Sequence, residues 1–249
     1  MSRATGIEWT ETTWNPTTGC DRVSPGCDNC YALTLAKRLK AMGADKYRLD
    51  GDPRTSGPGF RLTLHPEALD LPRSWRRPRL VFVDSMSDLF HPDVPVGFIR
   101  RVFDVMAETP RHTYQILTKR SQRLRRLAPL LDWPSNVWMG VSVESEEYLF
   151  RVEHLREAPA AVRFLSLEPL LGPLPGLDLG GVHWVIVGGE SGPGSRPMRR
   201  EWAEEARDRC LDAGVPFFFK QWGGRTPKAG GRALDGRTHD DMPDLAVAG

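Results

Sequence analysis

Short runs of β-branched and aromatic residues recur along the chain, and between them apolar positions fall at the three- and four-residue spacing of amphipathic helices. The strand-like runs are "IEWT" (7–10), "FRLTLH" (60–65), "RLVFVDS" (79–85), "HTYQILTK" (112–119), "NVWMGVSVE" (136–144), "VRFLSLE" (162–168), "HWVIVGGE" (183–190) and "PFFFKQ" (216–221). The helical patterns are "CYALTLAKRLKAMG", "VPVGFIRRVFDVMAE", "SQRLRRLAPLL", "SEEYLFRVEHLREA" and "RREWAEEARDRCLDAG", the last ending at Gly214 as a helix-stop glycine. Alternation of this kind predicts βα units on a mainly parallel sheet. The expectation is an α/β fold, a complete or partial (β/α) TIM-type barrel over residues 1–222. Residues 223–249, rich in Gly and Pro, are expected to form an irregular C-terminal tail.

Six of the strand patterns begin apolar and end polar. Their ends carry Asp84, Ser85, Ser87 and Asp88; Lys119 and Arg120; Ser142 and Glu144; Ser166 and Glu168; Glu190; and Lys220 with Gln221. Parallel strands open their C-terminal ends on one face, where loops vary above a packed core. The polar ends are therefore expected to converge, with Glu144, Glu168, Lys119 and Lys220 as catalytic candidates.

Composition narrows the class. No run approaches the roughly 20 apolar residues of a membrane span, and "MSRATGIEWTETTWNP" lacks the apolar segment of a secretory signal, so a cytoplasmic protein is expected. The formal net charge of +2 decides nothing about partners. Of four cysteines, Cys20, Cys27 and Cys30 fall in "GCDRVSPGCDNCYA", a loop expected after strand 1, and Cys210 sits alone on the last helix. In a reducing compartment such a trio points to metal, and thiolates suit zinc or iron-sulfur clusters. Three ligands leave one position open. His65 and His91 follow early strands but read as loop residues, and Cys210 is expected on the opposite face.

The segments "IEWTETTWNPTTGCDRVSPGCDNCYA", "VDSMSDLFHP", "ILTKR", "VSVES", "LSLEPLLGPL", "IVGGESGPGSRPM" and "FFFKQWGG", in that order, resemble the phage- and prophage-associated three-cysteine family of uncharacterised function. That family is similar to radical S-adenosylmethionine enzymes, with "VFVDSMSDLF" and "ILTKR" like the spore-photoproduct-lyase branch. The resemblance implies a 4Fe-4S cluster on Cys20, Cys27 and Cys30, its fourth iron open to S-adenosylmethionine. This chain departs from the superfamily pattern in two ways. The first cysteine gap is six residues rather than three, with Asn29 where an aromatic is usual, and the literal Gly188-Gly189-Glu190 lies on a late strand. By position, the cofactor contacts expected are Asp84, Ser85, Ser87, Ser142 and Glu190.

Arg120, Arg196 and Arg199 stand at or near helix starts, where the dipole disfavours cations, so an anionic small molecule or nucleic acid is expected there. Two rival readings stay open. One is a zinc-stapled, nucleic-acid-binding accessory protein that is no enzyme. The other is a glycosidase-like barrel using Glu144, Glu168 and Glu190.

Overall fold

The computed structural model describes residues 5–226 and 228–244. Seven strands form one sheet, all neighbours parallel: β1 (Thr12–Trp14), β4 (Leu80–Val83), β5 (Thr113–Thr118), β6 (Val137–Ser142), β7 (Val162–Leu167), β8 (Trp184–Gly188) and β9 (Phe217–Gln221), in that spatial order. Among the described residues β9 does not pair back to β1, so the sheet is an open half-barrel. Two short strands, β2 (Thr17–Thr18) and β3 (Thr63–Leu64), make a separate antiparallel ribbon. Five helices, α1 (Tyr31–Ala41), α2 (Val96–Glu108), α3 (Ser121–Leu127), α4 (Phe150–Arg156) and α5 (Arg200–Ala213), complete the α/β pattern.

Two expected strands are corrected. The first runs over 12–14 rather than 7–10, because Thr12, Thr13 and Trp14 are the residues in register with Val81, Phe82 and Val83. Residues 7–10 instead carry Trp9 into the interior of the half-barrel, where its ring meets Phe82 at 4.7 Å. The run 60–65 contributes only the two ribbon residues of β3, so the eight-stranded count becomes seven in the sheet.

The two-residue period of each strand sorts its side chains between two layers. Outward-facing Val83, Ile116, Val141, Leu165 and Val187 are fully buried in the main core, against helices. On α2 the buried set Phe98, Ile99, Val102, Phe103, Val105 and Met106 keeps helical spacing. Inward-facing Phe82, Trp138, Phe164, Trp184 and Phe218 join Trp9 in an aromatic floor. Two or four residues further along the same strands stand Asp84, Ser142, Ser166, Glu168 and Lys220. Polarity thus changes along the inner face while the outer face stays apolar.

Of the expected tail, residues 223–226 and 228–244 are irregular yet pinned to the sheet, while residues 227 and 245–249 lie outside the described residues. His239 accepts a backbone bond from Phe219 at 2.9 Å, and the Trp184 indole donates to Asp241 O at 2.9 Å. Met242 packs on the aromatic floor.

Candidate functional site

Above the floor lies a cavity of about 400 Å³ at the C-terminal ends of the strands. All three cysteines of the trio line it, together with Asp84, Ser85, Ser87, Lys119, Ser142, Glu168, Glu190 and Lys220. Cys210 does not; it is fully buried in the core on α5, where burial pushes its thiol up to about 12.

The segment holding Cys20, Cys27 and Cys30 runs from β2 to α1, and supports from four separate strand ends hold it. After β4, the Asp84 carboxylate accepts the backbone N–H and the hydroxyl of Thr17, both at 2.9 Å, and the Ser87 hydroxyl donates to Gly19 O at 2.6 Å. Ser85 donates to Asn15 Oδ1 at 3.2 Å. After β5, an Arg120 Nη donates to Asp21 O at 3.1 Å and lies 3.5 Å from Cys20 Sγ. After β6, Glu144 sits beneath Gly26: a Cβ at that glycine would lie 3.0 Å from Glu144 Oε1, so no larger residue fits without displacing the acid. After β8, Glu190 accepts from the Asn29 amide at 2.9 Å and from Arg196 Nε at 3.0 Å, while Arg196 also donates to Pro25 O at 2.7 Å.

These contacts revise the roles expected of several residues. Arg196 and Arg120 are engaged with the protein's own acceptors, Arg199 lies over the Trp202 ring, and none of these three arginines lines the cavity. Glu144 is fully buried, pairs with Arg151 at 2.7 Å and does not border the cavity, which removes it from the catalytic set. Arg151 was invisible to the sequence reading because its link to Glu144 crosses from a helix to a strand end. Asn29, which departs from the usual aromatic, straps the cysteine segment to Glu190 and Gly194.

Facing the cavity is a second charged pair. Lys220 Nζ stands 2.9 Å from Glu168 Oε1, and the Ser166 hydroxyl donates to Glu168 Oε2 at 3.1 Å. Gly188 makes room for this carboxylate, since a Cβ there would come within 2.6 Å of Glu168 Oε1.

Electrostatics divide the site. Burial, reinforced by Asp88, raises the Cys20 thiol against the pull of Arg120, and burial raises Cys30. Such thiols stay protonated until a metal displaces the proton. Burial pushes the Asp84 carboxyl up to about 8 despite the two bonds from Thr17. Burial would also raise Glu190, but the bonds from Arg196 and Asn29 outweigh it and hold that carboxyl below its ordinary range.

The donor set fits an iron-sulfur cluster by its chemistry: three thiols from one loop face one cavity. The neighbouring imidazoles are engaged elsewhere, His91 Nε2 with Asp21 at 2.8 Å and His65 Nε2 with the Thr18 hydroxyl at 2.8 Å. Among the described residues no three His, Cys, Asp or Glu side chains gather as one metal ion requires.

An open α/β half-barrel with a thiol-lined cavity at its strand ends is the class that fold and site define. The chain belongs to a family described as proteins of unknown function, DUF5131, whose model matches residues 4–243. A search of curated proteins found no match. Among solved structures, the chain is similar to a variant of spore photoproduct lyase, at 11% identity and a TM-score of 0.49. It is likewise similar to that lyase complexed with dinucleoside spore photoproduct, at 11% identity and a TM-score of 0.48. Each match covers 84% of this chain and 63% of the other.

Proposed function

We propose that this protein is an iron-sulfur enzyme of the radical S-adenosylmethionine type that acts on an anionic substrate within the half-barrel. The observation that carries the reading is the placement of three thiols from one loop in the same cavity as the polar strand ends. The sequence resemblance points the same way. Cys20, Cys27 and Cys30 would hold the 4Fe-4S cluster, and Lys119, Ser142, Ser166, Glu168 and Lys220 are among the cavity groups that would bind cofactor and substrate. When bound and reduced, the cluster and S-adenosylmethionine supply a 5′-deoxyadenosyl radical that abstracts hydrogen from substrate.

The protein's own residues position and shield. Arg120 places an N–H against Cys20 Sγ, which would favour a thiolate there. Lys119 and Lys220 bring positive charge to the cavity wall, and Glu168 holds the Lys220 ammonium in place. Trp9, Phe82 and Leu117 close the floor and keep water from that side. The glycosidase-like alternative loses its paired acids: Glu144 is paired out of the cavity and Glu190 is clamped by Arg196, so Glu168 stands alone of the three. Among the described residues no helix is long and apolar enough to cross a membrane, in keeping with an enzyme of the cytoplasm.

Anaerobic purification, reconstitution with iron and sulfide, and electron paramagnetic resonance of the reduced protein test this reading. A 4Fe-4S signal that changes on adding S-adenosylmethionine, and that is lost in Cys20→Ala, is the expected result. Stoichiometric zinc without iron would overturn it in favour of a structural staple.

A further inference from the structure

We infer that the groove between α1 and the turns at 56–58 and 191–194 binds a phosphate group of the substrate, beside the cavity that would hold the reacting part. The inference rests on the reading of that cavity as the substrate site. It replaces the expected anion contacts, Arg120, Arg196 and Arg199, with two cations that the sequence did not single out.

The groove has a volume of about 250 Å³ and borders the main cavity, the two sharing Arg22, Asn29, Cys30, Leu33 and Ser191. Its walls are held from several directions. The Asn29 amide donates to Gly194 O at 3.0 Å, Gly192 N donates to Gly224 O at 2.9 Å, and the Ser56 hydroxyl donates to Phe60 O at 2.7 Å. Leu33, Pro58 and Pro193 give it an apolar lining.

Its cations are Arg22 and Lys37. The acids around them are taken: Asp21 by Thr55 and His91, Asp45 by Arg48, Asp50 by Lys40, and Asp52 by Arg54. Asp28, the one carboxylate on the groove, lies 3.6 Å from Arg196 Nη1. Arg22 and Lys37 have no ion-pair partner among the described residues. Along the cavity face Arg120, Arg196 and Lys220 are paired with Asp88, Glu190 and Glu168, whereas Arg22, Lys37, Lys119 and Lys228 are not paired among the described residues; two of these four unpaired cations lie together around one groove, which marks a place for charge from outside. A guanidinium offers a planar fork and an ammonium a point charge, a combination suited to a phosphate's several oxygens. Small nucleotides and single-stranded oligonucleotides both carry that group.

The test uses the full-length protein and a fluorescently labelled thymidine hexanucleotide, with ADP as competitor. The expected result is salt-sensitive binding that weakens at least about tenfold in the Arg22→Ala, Lys37→Ala double variant. For a single strand the slope of log affinity against log salt should shrink by about 1.4, two contacts at about 0.7 each. The remote Arg101→Ala, on α2, should change nothing. Binding of the hexanucleotide together with competition by ADP supports the phosphate site, and binding of ADP alone assigns it to a small nucleotide. Equal affinity for a methylphosphonate hexanucleotide, which has the shape without the charge, would overturn the inference, as would affinity unchanged in the double variant or absence of binding by both probes. If the parent protein takes up no cluster on reconstitution yet binds the probe, the enzyme reading falls and the groove stands; cluster uptake without probe binding overturns the groove alone.

Discussion

The two faces of the parallel sheet are made by alternate residues of the same strands, and they behave as different materials. Toward the helices, Val141, Leu165 and Val187 repeat one chemistry from end to end. Toward the half-barrel axis, Phe164, Ser166 and Glu168 pass from floor to cavity wall within five residues of one strand end. The outer face secures the fold; the inner face divides the work between closing the bottom and presenting chemistry at the top. Charged pairs follow the same division: Glu144–Arg151 is sealed under the cysteine segment, whereas Glu168–Lys220 faces the cavity.

The largest expected effect comes from the sealed pair. Arg151→Leu leaves a buried carboxylate without its partner and should lower stability by about 3–5 kcal/mol in urea unfolding. Adding Glu144→Leu to that variant should regain much of the loss, and a double variant no more stable than the single one would show that packing rather than charge is at stake. Next comes the outer face, where Leu165→Ala should cost about 2–5 kcal/mol through lost burial and a cavity. Its inward neighbour Ser166→Ala should stay within about 1 kcal/mol; equal losses at the two sites would break the contrast between the faces.

Smaller in stability, though not in activity, is Lys220→Met. The pair it removes is partly exposed, at 22% and 14%, and should contribute about 1 kcal/mol or less. Cluster uptake should persist while turnover is lost, and full activity in this variant would take Lys220 out of the site.

The subtlest effect is in pH dependence. Asp84 has a folded pKa of about 8 against an ordinary value of 3.8, so the folded state holds its proton more tightly. Its contribution to stability is fully present at low pH and falls as pH rises between those values, levelling off above the upper one. Asp84→Asn should flatten that decline, as read from urea midpoints at about pH 5 and pH 8. An unchanged slope in the variant would assign the dependence to another group.

Much of this arrangement was legible in the residues. The apolar cores of β4 through β9 stand out because their outward positions need only one property, and their shared polar ends foretold a common face. Trp9 misled because an alternating apolar run reads as a strand whether it pairs with the sheet or plugs its interior. The 60–65 run misled in the same way, since two ribbon residues carry the pattern of a longer strand. Arg196 was read from its own helix start, but its partners are Glu190 and Pro25, and Pro25 lies 171 positions earlier in the chain. Pairing between distant segments leaves no local periodicity, so the straps on the cysteine segment, and the two groove cations left without acids, became visible only in three dimensions.

Those straps also impose an order on synthesis. Cys20, Cys27 and Cys30 leave the ribosome well before their supports, since Asn29 waits 161 positions for Glu190 and Pro25 waits 171 for Arg196. Until most of the sheet has been translated, the segment lacks the contacts that fix its shape and remains open to stray oxidants and metals. The cysteine segment therefore reaches its final setting late in the making of the chain, after β8 and the turn that carries Arg196 have been translated.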